Sequence, residues 1–175
     1  VRVEVLDVQD VITQVSVFIA ATGVIIAVVY YFFDVRNQSK IRKSDMFMRV
    51  FATSNNDEFQ SADMLLQYAN FTDYADFEKQ YGPFSTIKPI HRAIRVISVF
   101  FEALGLLLYR KLIDEQMLWD SYQIEHRWEK VKPIIEHLRE ELNEPRYMEW
   151  FEYLYNWFKA QEKQGKVRQQ PIYQV

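Results

Sequence analysis

At 175 residues and a net charge of −3, the chain has room for one ordinary domain and no general electrostatic drive toward nucleic acid. Its composition is globular and rich in rings: 49% hydrophobic, 26% charged and 16% aromatic. The absence of cysteine excludes disulfides, thiolate metal sites and cysteine nucleophiles, while four glycines and five prolines argue against a turn-rich all-β fold.

Residues 1–10 read as a short arm whose apolar and polar residues alternate like a strand. The arm is acidic, with Glu4, Asp7 and Asp10 against Arg2. From Val11 to Phe33 run 23 residues with no charge and no proline. A helix of that length extends about 34 Å, enough for the ~30 Å hydrocarbon core of a bilayer. A cleaved secretory signal would have a basic start and small residues at its end. Here the start is acidic and the end is Tyr30-Tyr31-Phe32-Phe33. Residues 11–33 are therefore expected to be a transmembrane helix.

Arg36, Lys40, Arg42 and Lys43 follow that stretch. Positive-inside bias then predicts a single-pass cell-membrane protein with its N-terminus outside and its C-terminal domain in the cytoplasm. The four cations would face anionic headgroups, making membrane lipid one partner. Ser16, Ala20, Gly23 and Ala27 recur at helical spacing and form a stripe of small residues, the pattern that lets two helices approach closely in lipid. A contact through that stripe, with a second copy or another membrane subunit, is expected. Thr13, Gln14 and Thr22 add polar groups to the same helix, and a small pore lined by them is an alternative.

Beyond the membrane, residues 34–57 read as a helical stalk broken by Thr53-Ser54-Asn55-Asn56-Asp57. Residues 58–164 read as an all-α bundle of about five or six helices. Helices are expected over 58–69, over 72–81 with Thr72 as N-cap and Gly82-Pro83 as the stop, and from about Ser85 to Leu112 with Pro89 in the first turn. A further helix is expected from Asp114 to about Lys130, then a short one opened by Pro133 and running through Leu142. After a break at Asn143-Glu144-Pro145, the last is expected from Arg146 to about Lys163. Residues 165–175 read as a flexible tail. Arg92, Arg95 and Glu102 interrupt the 87–112 stretch, which favours a buried bundle helix over a second membrane span.

Glu102 lies among Phe100, Phe101, Leu104 and Leu106 and requires a cation or donors once desolvated. Arg139 is its expected partner, with Arg95 second, in a half-buried pair that fixes helix register. His91, His126 and His137 have Lys88, Gln123 and Ile134 three residues before them, so no Glu-x-x-His or His-Glu-x-x-His metal motif is formed. No glycine-rich phosphate loop and no Gly-x-Ser-x-Gly elbow occurs, and neither metal nor cofactor is expected. In the last helix Tyr147, Trp150, Tyr153 and Trp157 belong to a run of rings that nearly encircles the axis. Residues on opposite faces cannot all enter one core, which makes these four candidate docking aromatics.

The ordered set Phe100-Phe101-Glu102-Ala103-Leu104-Gly105, Leu112-Ile113-Asp114, Trp119, Trp128, Lys132-Pro133-Ile134-Ile135, Leu138-Arg139 and Phe151-Glu152-Tyr153-Leu154 resembles an uncharacterised prokaryotic family. Its members are short, membrane-anchored helical proteins carrying a domain of unknown function. The likeness covers residues 85–155 and implies an anchored helical domain without implying an activity or substrate. The chain departs from that pattern at Arg110-Lys111, where a glycine-type turn is expected before Ile113-Asp114. The function expected from these features is that of a non-enzymatic interaction or accessory subunit. The alternative is a membrane-tethered sensor or enzyme with an interhelical pocket near Glu102.

Overall fold

The computed structural model describes residues 2–167, with side chains from Ile12 onward except those of residues 14, 15 and 17. Among the described residues it contains seven helices and no strand: α1 (Arg2–Ser54), α2 (Asp57–Tyr68), α3 (Tyr74–Tyr81), α4 (Pro89–Tyr109), α5 (Glu115–Ser121), α6 (Glu125–Glu141) and α7 (Glu149–Lys163). The fold is all-α, as composition and periodicity required. Most of the expected flexible tail lies outside the described residues.

The chain divides into two units, Val1–Arg42 and Lys43–Val175. Among its described residues the first is helix alone. Residues 2–10 are helical rather than strand-like, because extending an existing helix adds a hydrogen bond per residue without a new nucleus. Within α1 the stretch Phe18–Ser54 is long and apolar enough to cross a membrane, with a window of mean hydropathy 2.0 of which none is buried. It is the one such helix among the described residues, so α4 is not a second candidate.

The second unit is organised around α4. Ile90, Ile94, Ile97, Phe101, Leu104 and Leu108 are all buried, and their steps of four and three make one apolar stripe along the helix. α4 packs mainly against α7 and α2. These present Phe151, Leu154 and Phe158 from α7, and Phe59, Ala62 and Leu66 from α2. α6 adds Trp128, Val131, Ile134, Ile135 and Leu138. The last turns of α1 also join this core. Phe47 is buried, with its ring 6.5 Å from that of Tyr122, and the Ser54 and Tyr122 hydroxyls hydrogen-bond at 2.8 Å.

Several boundaries differ from the sequence expectation, each for a local reason. α3 is capped by Asp73 rather than Thr72: the Asp73 carboxylate accepts the Asp76 N–H at 2.8 Å, and Asp76 reaches back to the Thr72 N–H. α4 starts at Pro89, whose fixed φ and missing N–H suit the first helical position. The single helix expected over 114–130 is two, because Tyr122 turns extended at φ −120° and ψ 144°. That turn sends its hydroxyl to Ser54 and lets Ile124 bury completely. Pro133 does not open a helix but sits inside α6. Its missing N–H leaves the Glu129 carbonyl without that partner, and burial of the neighbouring Val131, Ile134 and Ile135 outweighs the loss. α7 starts at Glu149, three residues later than expected, after Met148 takes a left-handed φ of 55°.

Three helices end in the same 6→1 and 5→2 hydrogen-bond pattern, each with a left-handed residue just past the cap. In α7 that residue is Gly165 and in α6 it is Asn143, both ordinary choices. In α4 it is Lys111, at φ 57°, with Lys111 N–H donating to the Leu108 carbonyl and Leu112 N–H to the Leu107 carbonyl. The turn expected of glycine is thus made by a lysine.

Candidate functional site

The structure brings Glu102 and Arg139 to one place, the start of α7, but not into a pair with each other. α7 begins after a left-handed methionine that offers no side-chain cap. Glu102, projecting from α4, supplies one from outside: its Oε2 accepts the Phe151 N–H at 2.8 Å. Burial pushes the Glu102 carboxyl above its ordinary range, while the Phe151 and Trp150 N–H groups and, more weakly, the Arg139 charge pull it down. Arg139 spends its own donors on the turn before the helix. Nε donates to the Tyr147 carbonyl at 2.8 Å, one amino group to the Met148 carbonyl at 3.4 Å, and the other meets Glu152 at 2.8 Å. The expected direct pair is therefore replaced by two clamps on the same backbone, one anionic on N–H groups and one cationic on carbonyls.

Gly105, one turn after Glu102, makes the clamp reachable. A Cβ there would lie 1.9 Å from the Trp150 carbonyl oxygen, so the α7 backbone rests directly on α4 at this point. Sequence alone does not single out this role. The three-residue step from Glu102 to Gly105, which places both on one helix face, is the signal that could have found it.

The four candidate docking aromatics are half-buried. Tyr147 and Trp157 pack against the core, with Trp157 edge-on to Trp119. Trp150 and Tyr153 join Tyr109, which is 51% exposed, in a three-ring cluster with centroids 4.7 and 5.6 Å from the Tyr109 ring. Tyr109 was not among the expected residues. Arg110 and Lys111, both exposed, come directly after it.

Ser16, Ala20, Gly23 and Ala27 are all exposed on α1, and nothing lies within 4 Å of where a Gly23 Cβ would stand. The Ser16 hydroxyl donates to the Ile12 carbonyl at 2.7 Å and the Thr22 hydroxyl to the Phe18 carbonyl at 2.8 Å, so both polar groups are satisfied within the helix. The Gln14 side chain lies outside the described ones. Arg36, Lys40 and Arg42 are exposed and Lys43 is half-buried.

The histidines occupy three separate places. His91 is buried at the start of α4, with Nε2 3.2 Å from the Gly82 carbonyl, and His137 stacks on Tyr74 at 3.4 Å between centroids. His126 lines a cleft of about 320 Å³ between α2 and α6, beside the ion pair of Asp63 and Arg127 at 2.6 Å. Among the described residues no group of three or more His, Asp and Glu could hold a metal. Two apolar clefts of about 480 and 470 Å³ lie between α2 and α4, and Glu102 lines neither.

An all-α domain built on one central helix, with an exposed apolar helix ahead of it, is the class of protein these features define. The chain belongs to the family DUF4760, a domain of unknown function, whose model matches residues 17–158. The match is wider than the resemblance over 85–155 and takes in most of the apolar stretch as well as the bundle. Comparison with curated proteins and with solved structures gave no match.

Proposed function

We propose that this chain is a single-pass, membrane-anchored interaction subunit, with its N-terminus outside and its helical domain in the cytoplasm. It acts by assembling with copies of itself or by docking onto a larger membrane complex. The observation that carries this reading is the apolar surface of α1. Phe18 is 76% exposed, Ile19 66%, Ile25 64% and Phe32 66%, with no described side chain of the chain's own to cover them. A contiguous apolar rod of that kind calls for lipid or a partner helix. The exposed cations from Arg36 to Arg42, just beyond the rod, favour a cytoplasmic place for the helical domain. The small-residue stripe, free of any contact at Gly23, supplies the face for assembly.

The anchor is tested by fractionating cells that express the chain. It should remain in the membrane pellet through high salt and alkaline carbonate and be released by detergent, and an N-terminal tag should be reached from outside the cell. Release by carbonate would remove the anchor, and a tag reached only after lysis would reverse the orientation.

An unpaired Glu102 facing a wet pocket with histidine in reach would favour the sensor or enzyme reading. Glu102 is instead bonded to the α7 backbone, which supports the subunit reading.

A further inference from the structure

We propose that a second copy of the chain docks in the groove between α2 and α4. This deepens the assembly reading above and rests on it for copies meeting at all, but it places a contact within the helical domain. The groove is made of the two apolar clefts of about 480 and 470 Å³, which are continuous because Glu58 and Val96 line both. Every residue lining them belongs to the second unit.

The two walls call for cover. α4 carries an apolar stripe besides its buried one: Val96, Val99, Ala103 and Leu106 follow at steps of three, four and three. Val99 is 57% exposed and Leu106 37%, so a helix that is apolar on two sides is covered on one. Across the groove Leu65 of α2 is 45% exposed and lines the same cleft as Val96. Apolar side chains left open on both walls of one groove mark a docking surface.

The charges select the occupant. Those lining the groove are Asp57 and Glu58 on the α2 wall and Arg92 and Arg95 on the α4 wall, two of each sign. Glu58 and Arg92 meet at 2.6 Å yet keep 56% and 74% of their side chains exposed. Arg95 reaches the Phe84 carbonyl at 3.3 Å rather than a carboxylate, and Asp57 is exposed in the first turn of α2. A two-fold rotation about the length of the groove lays α2 of each copy over α4 of the other. The acidic wall then faces the basic wall twice. The two meet at the same level, because Glu58 and Arg92 are already level within one chain. A partner of a single charge sign would leave one wall opposed by like charge, whereas a second copy matches both.

Glu58 and Arg92 are exposed enough that their own pair adds little to folding, so either can be reversed without unfolding the domain. Native mass spectrometry of the full chain in mild detergent reads the contact. Gly23→Leu is present in every sample but the parent, so that the α1 stripe does not hold copies together. Dimer should persist in that background. Glu58→Arg and Arg92→Glu should each lower the association constant about tenfold. An equimolar mixture of the two, one of them isotope-labelled, should recover it as a mixed pair. Val99→Asp, which sets a charge in the covered stripe, should also lower it about tenfold. Charge variants that pair as tightly as their background, or that do not recover on mixing, overturn the proposal. A Gly23→Leu chain that is single while the parent pairs also overturns it and leaves the stripe as the meeting place. A parent that is single has lost both this contact and the assembly of copies.

Discussion

Glu102 shows how one side chain can resolve a problem posed elsewhere in the chain. The left-handed Met148 leaves the first N–H groups of α7 without a local cap, and a carboxylate from α4 takes one of them. Glu102→Ala should therefore cost about 1–2 kcal/mol, a typical loss for a cap, and Glu102→Gln less, since an amide oxygen can still accept the Phe151 N–H. Thermal melts of both variants check this, and an alanine variant as stable as the parent would mean that the carboxylate is solvated.

The same residue gives a pH dependence with a definite sign. Burial raises its pKa in the folded state, so folding favours the protonated form. That contribution is full below the unfolded carboxylate value and is lost as pH rises through the raised one. The melting temperature of Glu102→Gln should therefore gain on that of the parent as pH rises from the ordinary carboxylate range through the raised value. The need of Glu102 for a partner was legible in the sequence, because a lone acid among Phe100, Phe101, Leu104 and Leu106 must find one. Which partner it takes was not legible, because the donor is a backbone N–H and carries no signature in residue type.

At the scale of elements, the α4–α7 contact depends on the missing side chain at 105. Gly105→Ala would force the Trp150 carbonyl away from α4 and disturb the seat of Glu102 with it. The expected loss is near the upper end of the 1–3 kcal/mol usual for overpacking, about 3 kcal/mol, read by chemical denaturation. Helices with strong punctuation were placed well from sequence. α2 after Asn56, the stop of α3 at Gly82 and the break at residues 143–145 each had cap or turn residues to mark them. The failures occurred where tertiary burial overrode local preference. Tyr122 breaks the α5–α6 run with neither glycine nor proline nearby, and Pro133 is carried through α6 because its neighbours are core residues.

For the whole molecule, the two units differ in what surrounds their apolar side chains. The second buries a core of them, down to a fully buried Phe77, Phe151 and Phe158, and the first exposes nearly every one described. If the stripe at Ser16, Ala20, Gly23 and Ala27 is where copies or partners meet, Gly23→Leu should shift native mass spectra in mild detergent toward the single chain. An unchanged distribution would remove the stripe from assembly. The apolar rod was evident from sequence because it needs only length and the absence of charge. The corner formed by Tyr109, Arg110, Lys111, Trp150 and Tyr153 was only half evident, since it unites residues about forty positions apart.

The clamp at the start of α7 also limits what chemistry this fold can acquire. The carboxylate that most resembles a general acid already serves as a structural fastening, and a proton shuttle needs its oxygens free to reorient. Use of Glu102 as a general acid would require the last helix to loosen. Fastening the helix and moving a proton would draw on the same carboxylate.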